Sequence, residues 1–404
     1  MKELCGALAL AGALVVAGRS AAAQVQARVM AQGILVGIRA DPTPERRPIT
    51  EVRLSQPTAM GVASWRNLTA ILTLDFEGLT IPGGELTAGA WGEGFIDRRH
   101  PHTYVHEALL GAVKWWGAGR TASGVAAFAG KGFVPFGSDD PMSRPTERYP
   151  VNHHWSQILE RAVVIGQVRY RWAVIEAALF NGDEPERPED WPRISGRFGD
   201  SWSLRGTVDP LEGLEVSGSV ASVESPENRP GAGSTQQKTH VGVRYESRVK
   251  DRYAMAEWAR TSEFDGFFVF KSVLAEAGWR PGRNRIYYRF ERTDRPEEER
   301  LNPFRSLRPH LENSIFGITR WTLHTAGYGY SVGRGSARFE PFAEATVGRV
   351  DPHGAGLFSI VDTYGKSSVT SVSLGVRLGW NVAGHRMGRY GVALPVGHGQ
   401  GHHH

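Results

Sequence analysis

"NRIYYRFERT" (residues 284–293) decides how this chain is read. On an extended backbone Ile286, Tyr288 and Phe290 point one way, and Arg285, Tyr287, Arg289 and Glu291 point the other, because successive strand side chains alternate faces. One face is greasy and the other ionic. The same alternation recurs in "WSLRGTVD" (202–209), "THVGVRYESR" (239–248), "ARFEPFAEATV" (337–347) and "SVSLGVRLGW" (371–380). In the last, Val372, Leu374, Val376, Leu378 and Trp380 oppose Ser371, Ser373, Gly375, Arg377 and Gly379.

About sixteen such segments are expected, near 50–60, 68–79, 86–96, 105–116, 121–132, 156–167, 170–180, 201–209, 214–223, 239–248, 253–261, 268–279, 285–293, 314–332, 337–348 and 370–381. Their lengths centre on the roughly 9–11 residues that a tilted strand needs to cross a bilayer. Short turns such as 209–213, 250–251, 280–284 and 333–336 mostly alternate with long polar stretches such as 133–155, 181–200, 224–238, 294–313 and 349–369. A sandwich has no reason to sort its loops by length, and a propeller would show a repeat of about 40–50 residues, which is not seen. The pattern predicts an all-β transmembrane antiparallel β-barrel of about sixteen strands, with short periplasmic turns and long outer loops. Its aromatic side chains face lipid and its arginines face water, and closure satisfies the backbone polar groups that hydrocarbon leaves unsolvated.

Composition fits that reading. With mean hydropathy −0.32 and 41% hydrophobic residues in 404, there is no sign of a large Leu-rich core, while 12 Trp are generous for so polar a chain. The formal charge of +5 suits a basic lumen and is too small for a nucleic-acid-binding surface. "MKELCGALALAGALVVAGRSAAAQ" reads as a secretory signal peptide over residues 1–23, which removes Cys5 and with it any disulfide. Residues 24–49 read as a periplasmic N-terminal segment or short plug, residues 50–381 as the barrel, and residues 382–404 as a His-containing, mobile periplasmic tail.

"GKGFVPFG" followed by a long loop and then "ILERAVVIGQVRYRWAVIEAALFNGDE" resembles the bacterial outer-membrane porins related to the phosphate-selective porins. The resemblance lies on Lys131, Pro135, Phe136, Gly137, Glu160 and Arg161, and is closest over about residues 120–200. It implies that the third outer loop, 133–155, folds inward as a constriction. No ring of lysines or arginines can be matched residue by residue, so phosphate selectivity is not implied. Asp139 and Asp140 on that loop would then face wall arginines assigned by strand parity, namely Arg205, Arg244, Arg285, Arg289, Arg338 and Arg377, with Lys131 and Arg161 at the loop's two ends. Such a field orients polar solutes and gives a weak anion preference. The plainer reading is that these arginines are solvated, or neutralised by Glu246, Glu291, Glu340 and Glu344.

The expected function is a passive porin-type channel for small hydrophilic solutes in the outer membrane of a Gram-negative-type bacterium. It would sit among outer-membrane lipids as a monomer or homotrimer, without cofactor and without nucleic acid. Trp115, Trp116, Trp202, Trp258 and Trp279 are candidates for the interfacial girdle. No nucleophile-elbow motif or His–Ser spacing marks an enzyme. A non-conducting anchor and a metal-handling barrel are the alternatives. For the latter, "DRRHPHTYVHE" places His100, His102 and His106 beside Asp97 and Glu107, donors suited to Zn²⁺ or Cu²⁺. Solvated histidines in a short outer turn are the default there. His153–His154 and the terminal His398, His402, His403 and His404 are weaker versions of the same signal.

Overall fold

The computed structural model describes residues 25–41, 46–80, 102–117, 119–183, 185, 188–192, 198–224, 235–298, 300–302, 305–306, 315–333, 336–354, 356–381 and 386–390. Sixteen strands form one closed antiparallel barrel. They are β1 (Gln26–Asp41), β2 (Ile49–Trp65), β3 (Leu68–Asp75), β4 (Val105–Trp116), β5 (Ser123–Gly132), β6 (Arg161–Tyr170), β7 (Ala173–Phe180) and β8 (Ser201–Leu211), followed by β9 (Leu214–Glu224), β10 (Thr235–Glu246), β11 (Arg252–Glu263), β12 (Phe268–Trp279), β13 (Asn284–Glu298), β14 (Ile315–Tyr330), β15 (Ala337–Pro352) and β16 (Ser368–Trp380). Each strand pairs with its chain neighbours, and β1 pairs with β16 to close the wall.

Connections alternate in length around the ring. Short turns at 66–67, 117–122, 171–172, 212–213, 247–251, 280–283 and 331–336 share one end. The opposite end carries the connections 76–104 (L2), 133–160 (L3), 181–200, 299–314 and 353–367. The tight 264–267 turn is the exception at that end, and Asp265 takes a left-handed φ of 52° there.

The opening stretch behaves as its parity requires. Arg285, Tyr287, Arg289 and Glu291 are buried, while Ile286 and Tyr288 are 48% and 46% exposed on the outer face. The outer surface is apolar along every strand sampled this way: Val241, Val243, Leu204, Val372 and Leu374 all point outward. Trp65, Trp116, Trp172, Trp279, Tyr330 and Trp380 are exposed around the short-turn end and form a girdle, as interfacial aromatics do. Trp202 starts β8 at the other end. Trp258 sits mid-strand in β11 rather than at a strand end, and Trp115 is only partly exposed.

Three expectations need correction. Residues 24–49 are not a plug, because Gln26–Asp41 is the strand that closes the barrel. The alternation there runs backwards: Ile34, Val36 and Ile38 face inward while Leu35 is 47% exposed outward. These inward residues join Trp321, Leu323, Phe342 and Val350 in an apolar cluster inside the wall, so the polar-in signature was missing. The expected strand at 86–96 lies outside the described residues, and the described barrel closes without it. The expected short outer turn at 97–107 is also wrong in its described part, since residues 102–104 end the long L2 and β4 begins at Val105.

If the outer face meets hydrocarbon, Leu374→Arg, at mid-strand in β16, should cost about 2–4 kcal/mol. Val249→Arg, in the exposed 247–251 turn, should cost under about 0.5 kcal/mol. Urea unfolding of protein folded into vesicles measures both, and equal costs would contradict the assignment of the outer face.

Candidate functional site

L3 does not extend away from the barrel. Nearly every side chain from Phe133 to Glu160 is buried inside it, and sequence and backbone together explain how the loop is held. At the loop's start Val134 N–H donates to Ile158 O (3.0 Å) and Ser138 N–H to Ser156 O (3.3 Å), so the two limbs of the loop pair with each other. Gly137 has φ +69°, and a Cβ there would lie 1.7 Å from Ser156 O. Only glycine fits that backbone and that approach. Its N–H donates to Ser219 Oγ on β9 at 2.8 Å. Two short helical turns follow. Asp140 caps Pro141–Ser143 by accepting from Met142 N–H (2.8 Å), and Asn152 caps His153–Trp155 by accepting from His154 N–H (3.1 Å).

One sector of the lumen holds the loop by apolar contact. Phe133, Phe136, Met142, Tyr149 and Ile158 pack with Phe128, Val163, Ile165 and Phe180 of the wall. Trp155 stacks on Phe270 at 4.6 Å. The opposite sector holds it by charge. Arg144 lies 3.5 Å from Glu257, Arg148 pairs with Glu344, and Glu147 takes Arg338 at 2.6 Å and Arg377 at 3.2 Å. Arg289 is bound to Glu276 at 2.9 Å and donates to the Arg148 carbonyl (2.6 Å) and the Tyr149 carbonyl (3.1 Å). Val151 N–H donates to Glu291 at 2.6 Å.

The wall arginines expected from parity divide into two groups. Arg205 with Glu176 (2.6 Å), Arg285 with Glu340 (2.8 Å) and Arg289 with Glu276 are pairs within the wall. Arg244 pairs with Glu246 of the wall at 3.0 Å and also meets Asp139 of L3 at 3.5 Å, Arg338 meets Glu147, and Arg377 meets both Glu147 and wall Glu340. Glu147 received no role in the sequence reading, although it is the loop's second acid against the arginine wall. Burial alone would raise its carboxyl, but Arg338, Arg285 and Arg377 hold it down to about 2. Burial is likewise outweighed at Asp139, where Arg386, Arg244 and Arg389 hold the carboxyl far below the usual carboxylate range. Both stay ionised through mild acid. Asp140 is buried, and its Oδ1 accepts from the Met142 N–H rather than from an arginine of this wall. Lys131 reaches Thr103 Oγ1 and lies 3.7 Å from Glu160, and Arg161 is buried and donates to the Leu159 carbonyl at 2.5 Å.

The tail supplies a further correction. Residues 386–390 do not trail away from the barrel but lie inside it. Arg386 donates to Asp139 at 2.7 and 2.9 Å and to Glu215 at 3.0 Å, and Arg389 bonds the same two acids. Met387 is buried in the L3 apolar cluster. Tyr390 Oη accepts from Phe133 N–H (2.6 Å) and donates to Glu107 (2.7 Å). The "RMGRY" stretch carried a readable signal, two arginines flanking an apolar residue in a chain whose lumen needed cations. His398 and His402–His404 lie outside the described residues, as do His100 and Asp97.

Between Met142–Glu147 of L3 and the short-turn end lies a vestibule of about 180 Å³. Eight of its lining side chains are cationic, among them Arg244, Lys250, Arg252 and Arg280, against three carboxylates, Glu147, Glu246 and Asp251.

No protein-family model and no curated protein matches the sequence. Solved structures match in fold. An anion-selective porin from Comamonas acidovorans superposes with TM-score 0.51 at 10% identity, over 88% of this chain and 100% of that one. The barrel is a porin fold. OmpF of Salmonella typhi in complex with daunomycin gives TM-score 0.49 at 10% identity, over 88% of this chain and 97% of that one. OmpT of Vibrio cholerae in trimer form gives 0.48 at 11%, over 88% and 99%. At such identities the likeness is one of fold, and the closed sixteen-strand porin barrel is what it establishes here.

Removing both arginines of the internal tail segment breaks buried pairs that cost about 3–5 kcal/mol when one partner is lost. The double variant Arg386→Ala/Arg389→Ala should therefore leave the segment undocked and raise single-channel conductance in planar bilayers. Conductance equal to that of the unaltered protein would show that the segment does not narrow the lumen.

Proposed function

We propose that the protein is a non-enzymatic diffusion channel of the outer membrane, passing small hydrophilic solutes with a weak preference for anions. The observation that carries this reading is the vestibule mouth, where Lys250, Arg252 and Arg280 stand against Asp251 while the deeper arginines are paired with Glu257, Glu340, Asp139 and Glu147. A polar, hydrated lumen removes most of the cost of moving an ion or polar solute through hydrocarbon, and wall charge then biases which sign enters. L3 sets the width, tied to the wall by ion pairs of Asp139 with Arg244 and of Glu147 with Arg338 and Arg377. Lys131 and Arg161 anchor the two roots of that loop.

In this reading the short turns face the periplasm and the long loops face outward, after export directed by residues 1–23. Lipid tails contact the outer face that carries Ile286, Tyr288 and Leu374. Purified protein added to a planar bilayer should give discrete conductance steps, with steps grouped in threes if three barrels insert together. A protein that inserts and gives no steps would be an anchor instead.

In a salt gradient the reversal potential should have the sign of anion selectivity. The double variant Lys250→Glu/Arg252→Glu changes the lining to six cations and five carboxylates by altering residues at the vestibule mouth. It should move the reversal potential toward zero in dilute salt. The difference should shrink in 1 M salt, where the screening length is about 3 Å. A reversal potential that the double variant leaves unmoved would refute control by these charges.

A further inference from the structure

At the long-loop end, away from the vestibule, L2 and the root of L3 enclose a second polar cluster. His102 ends L2 and His106 lies in the first turn of pairing in β4, with exposures of 3% and 0%. Their ring centroids are 4.8 Å apart. A β-bulge produces this arrangement. Thr73 pairs with Glu107 and Leu74 with Val105, so His106 is the extra residue. A bulge re-aims side chains that strict alternation would separate, and here both His106 and its neighbour Glu107 turn inward.

Each ring is held by one nitrogen only. His102 Nδ1 lies 3.2 Å from Asp75 Oδ2 and 3.3 Å from Glu77 Oε2, and His106 Nδ1 contacts Glu160 Oε1. Nε2 of both rings is buried without a hydrogen-bond partner. A buried polar atom left unpaired costs about 1–3 kcal/mol, so a ligand at these nitrogens would relieve two such costs. A carboxylate on one imidazole nitrogen with the other left open is how proteins orient histidine toward a metal. Ligand-capable atoms of Asp75, His102 and His106 all lie within 4.8 Å of one another. Tetrahedral binding at 2.0–2.1 Å wants separations of about 3.3 Å, a contraction that side-chain rotation can supply. When Asp75 turns, Glu77 already sits beside His102 Nδ1 to replace it.

We propose that Asp75, His102 and His106 form a site for a divalent transition metal of the Zn²⁺ class, with Glu77 and Glu160 orienting the imidazoles. Two imidazoles and a carboxylate are the donors such ions take. The metal would fasten L2 to the wall beside the root of L3. The inference is independent of the channel reading.

The test uses full-length protein folded in detergent and stripped with EDTA, with His398, His402, His403 and His404 replaced by Gln so that the tail contributes no ligand. Zn²⁺ uptake is followed by equilibrium dialysis, and Co²⁺ by visible absorption. The expected result is one equivalent bound with a tetrahedral Co²⁺ spectrum. Affinity should fall at least about ten-fold in His102→Gln and in His106→Gln. Glu160→Gln, which weakens the orienting contact to His106 along with the Lys131 pair, should lower it about 10–100-fold. His240→Gln, an imidazole paired with Glu257 elsewhere in the lumen, should bind like the parent. Lack of stoichiometric uptake by the parent overturns the proposal even if a variant misfolds. Unchanged uptake in a folded His102→Gln/His106→Gln double variant overturns it as well.

Discussion

Hydrocarbon accepts no hydrogen bonds, so each backbone N–H and C=O of a lipid-facing wall must be paired within that wall. For an open sheet the edge strands would fail that condition. The seam between β1 and β16 is therefore the contact on which the remaining structure depends. It runs in continuous register from Ala31 opposite Trp380 to Asp41 opposite Thr370. Once it closes, inside and outside are defined, and every period-two strand has one face for each.

Closure also creates an interior that has to be filled or hydrated, and this chain divides the task. Ionic side chains dominate the wall that meets the acids and arginines of L3 and apolar ones the wall at its root, with a second apolar group, Ile34, Val36, Ile38, Trp321 and Phe342, set among the ionic strands. On the ionic side buried guanidinium and carboxylate groups meet at hydrogen-bonding distance, as in Arg289–Glu276 and Arg285–Glu340. Such pairs add little net stability, because desolvation offsets most of their attraction, yet breaking one is costly. They act as registration more than as glue. The apolar sector, where Phe133, Phe136 and Met142 meet Phe128 and Phe180, provides the non-directional burial. L3 is thus pressed against one side and keyed to the other, which makes its position in the bore specific.

The wall was legible in the sequence wherever its two faces differed in polarity. Residues 285–293 and 371–380 could be assigned face by face because arginine and serine alternate with valine, leucine and tyrosine. β1 was not legible, because its inward face carries Ile34, Val36 and Ile38, so the polarity contrast that period-two reading relies on is absent. In the site, parity turned Arg205, Arg244, Arg285, Arg289, Arg338 and Arg377 inward and offered Glu246 and Glu340 among their neutralising acids, but not the partners that lie on L3 or on other strands. The loop acid Glu147 and the wall acids Glu176, Glu257 and Glu276 are chosen by three-dimensional register, a long-range property that spacing does not encode. His102 and His106 were paired correctly for an incomplete reason. Alternation put them on one face, whereas the structure joins them through a bulge, a one-residue slip that leaves no local signature.

Tyr390 is where the separate parts meet. Its ring packs on Phe128 with centroids 5.8 Å apart, and its hydroxyl accepts from Phe133 N–H at the start of L3 and donates to Glu107 beside His106. Glu107 in turn accepts from Thr73 Oγ1 at 2.6 Å, across the bulge that positions His106. The internal tail segment, the start of L3 and the β3–β4 bulge beside His106 therefore share one chain of buried hydrogen bonds. Removing that hydroxyl would leave a backbone N–H and a carboxylate oxygen to find other partners in a crowded interior. The loop cannot leave its place at Phe133 without disturbing the tail segment, and the tail segment cannot withdraw without releasing Glu107. Position in this lumen is fixed by shared partners more than by any single strong contact.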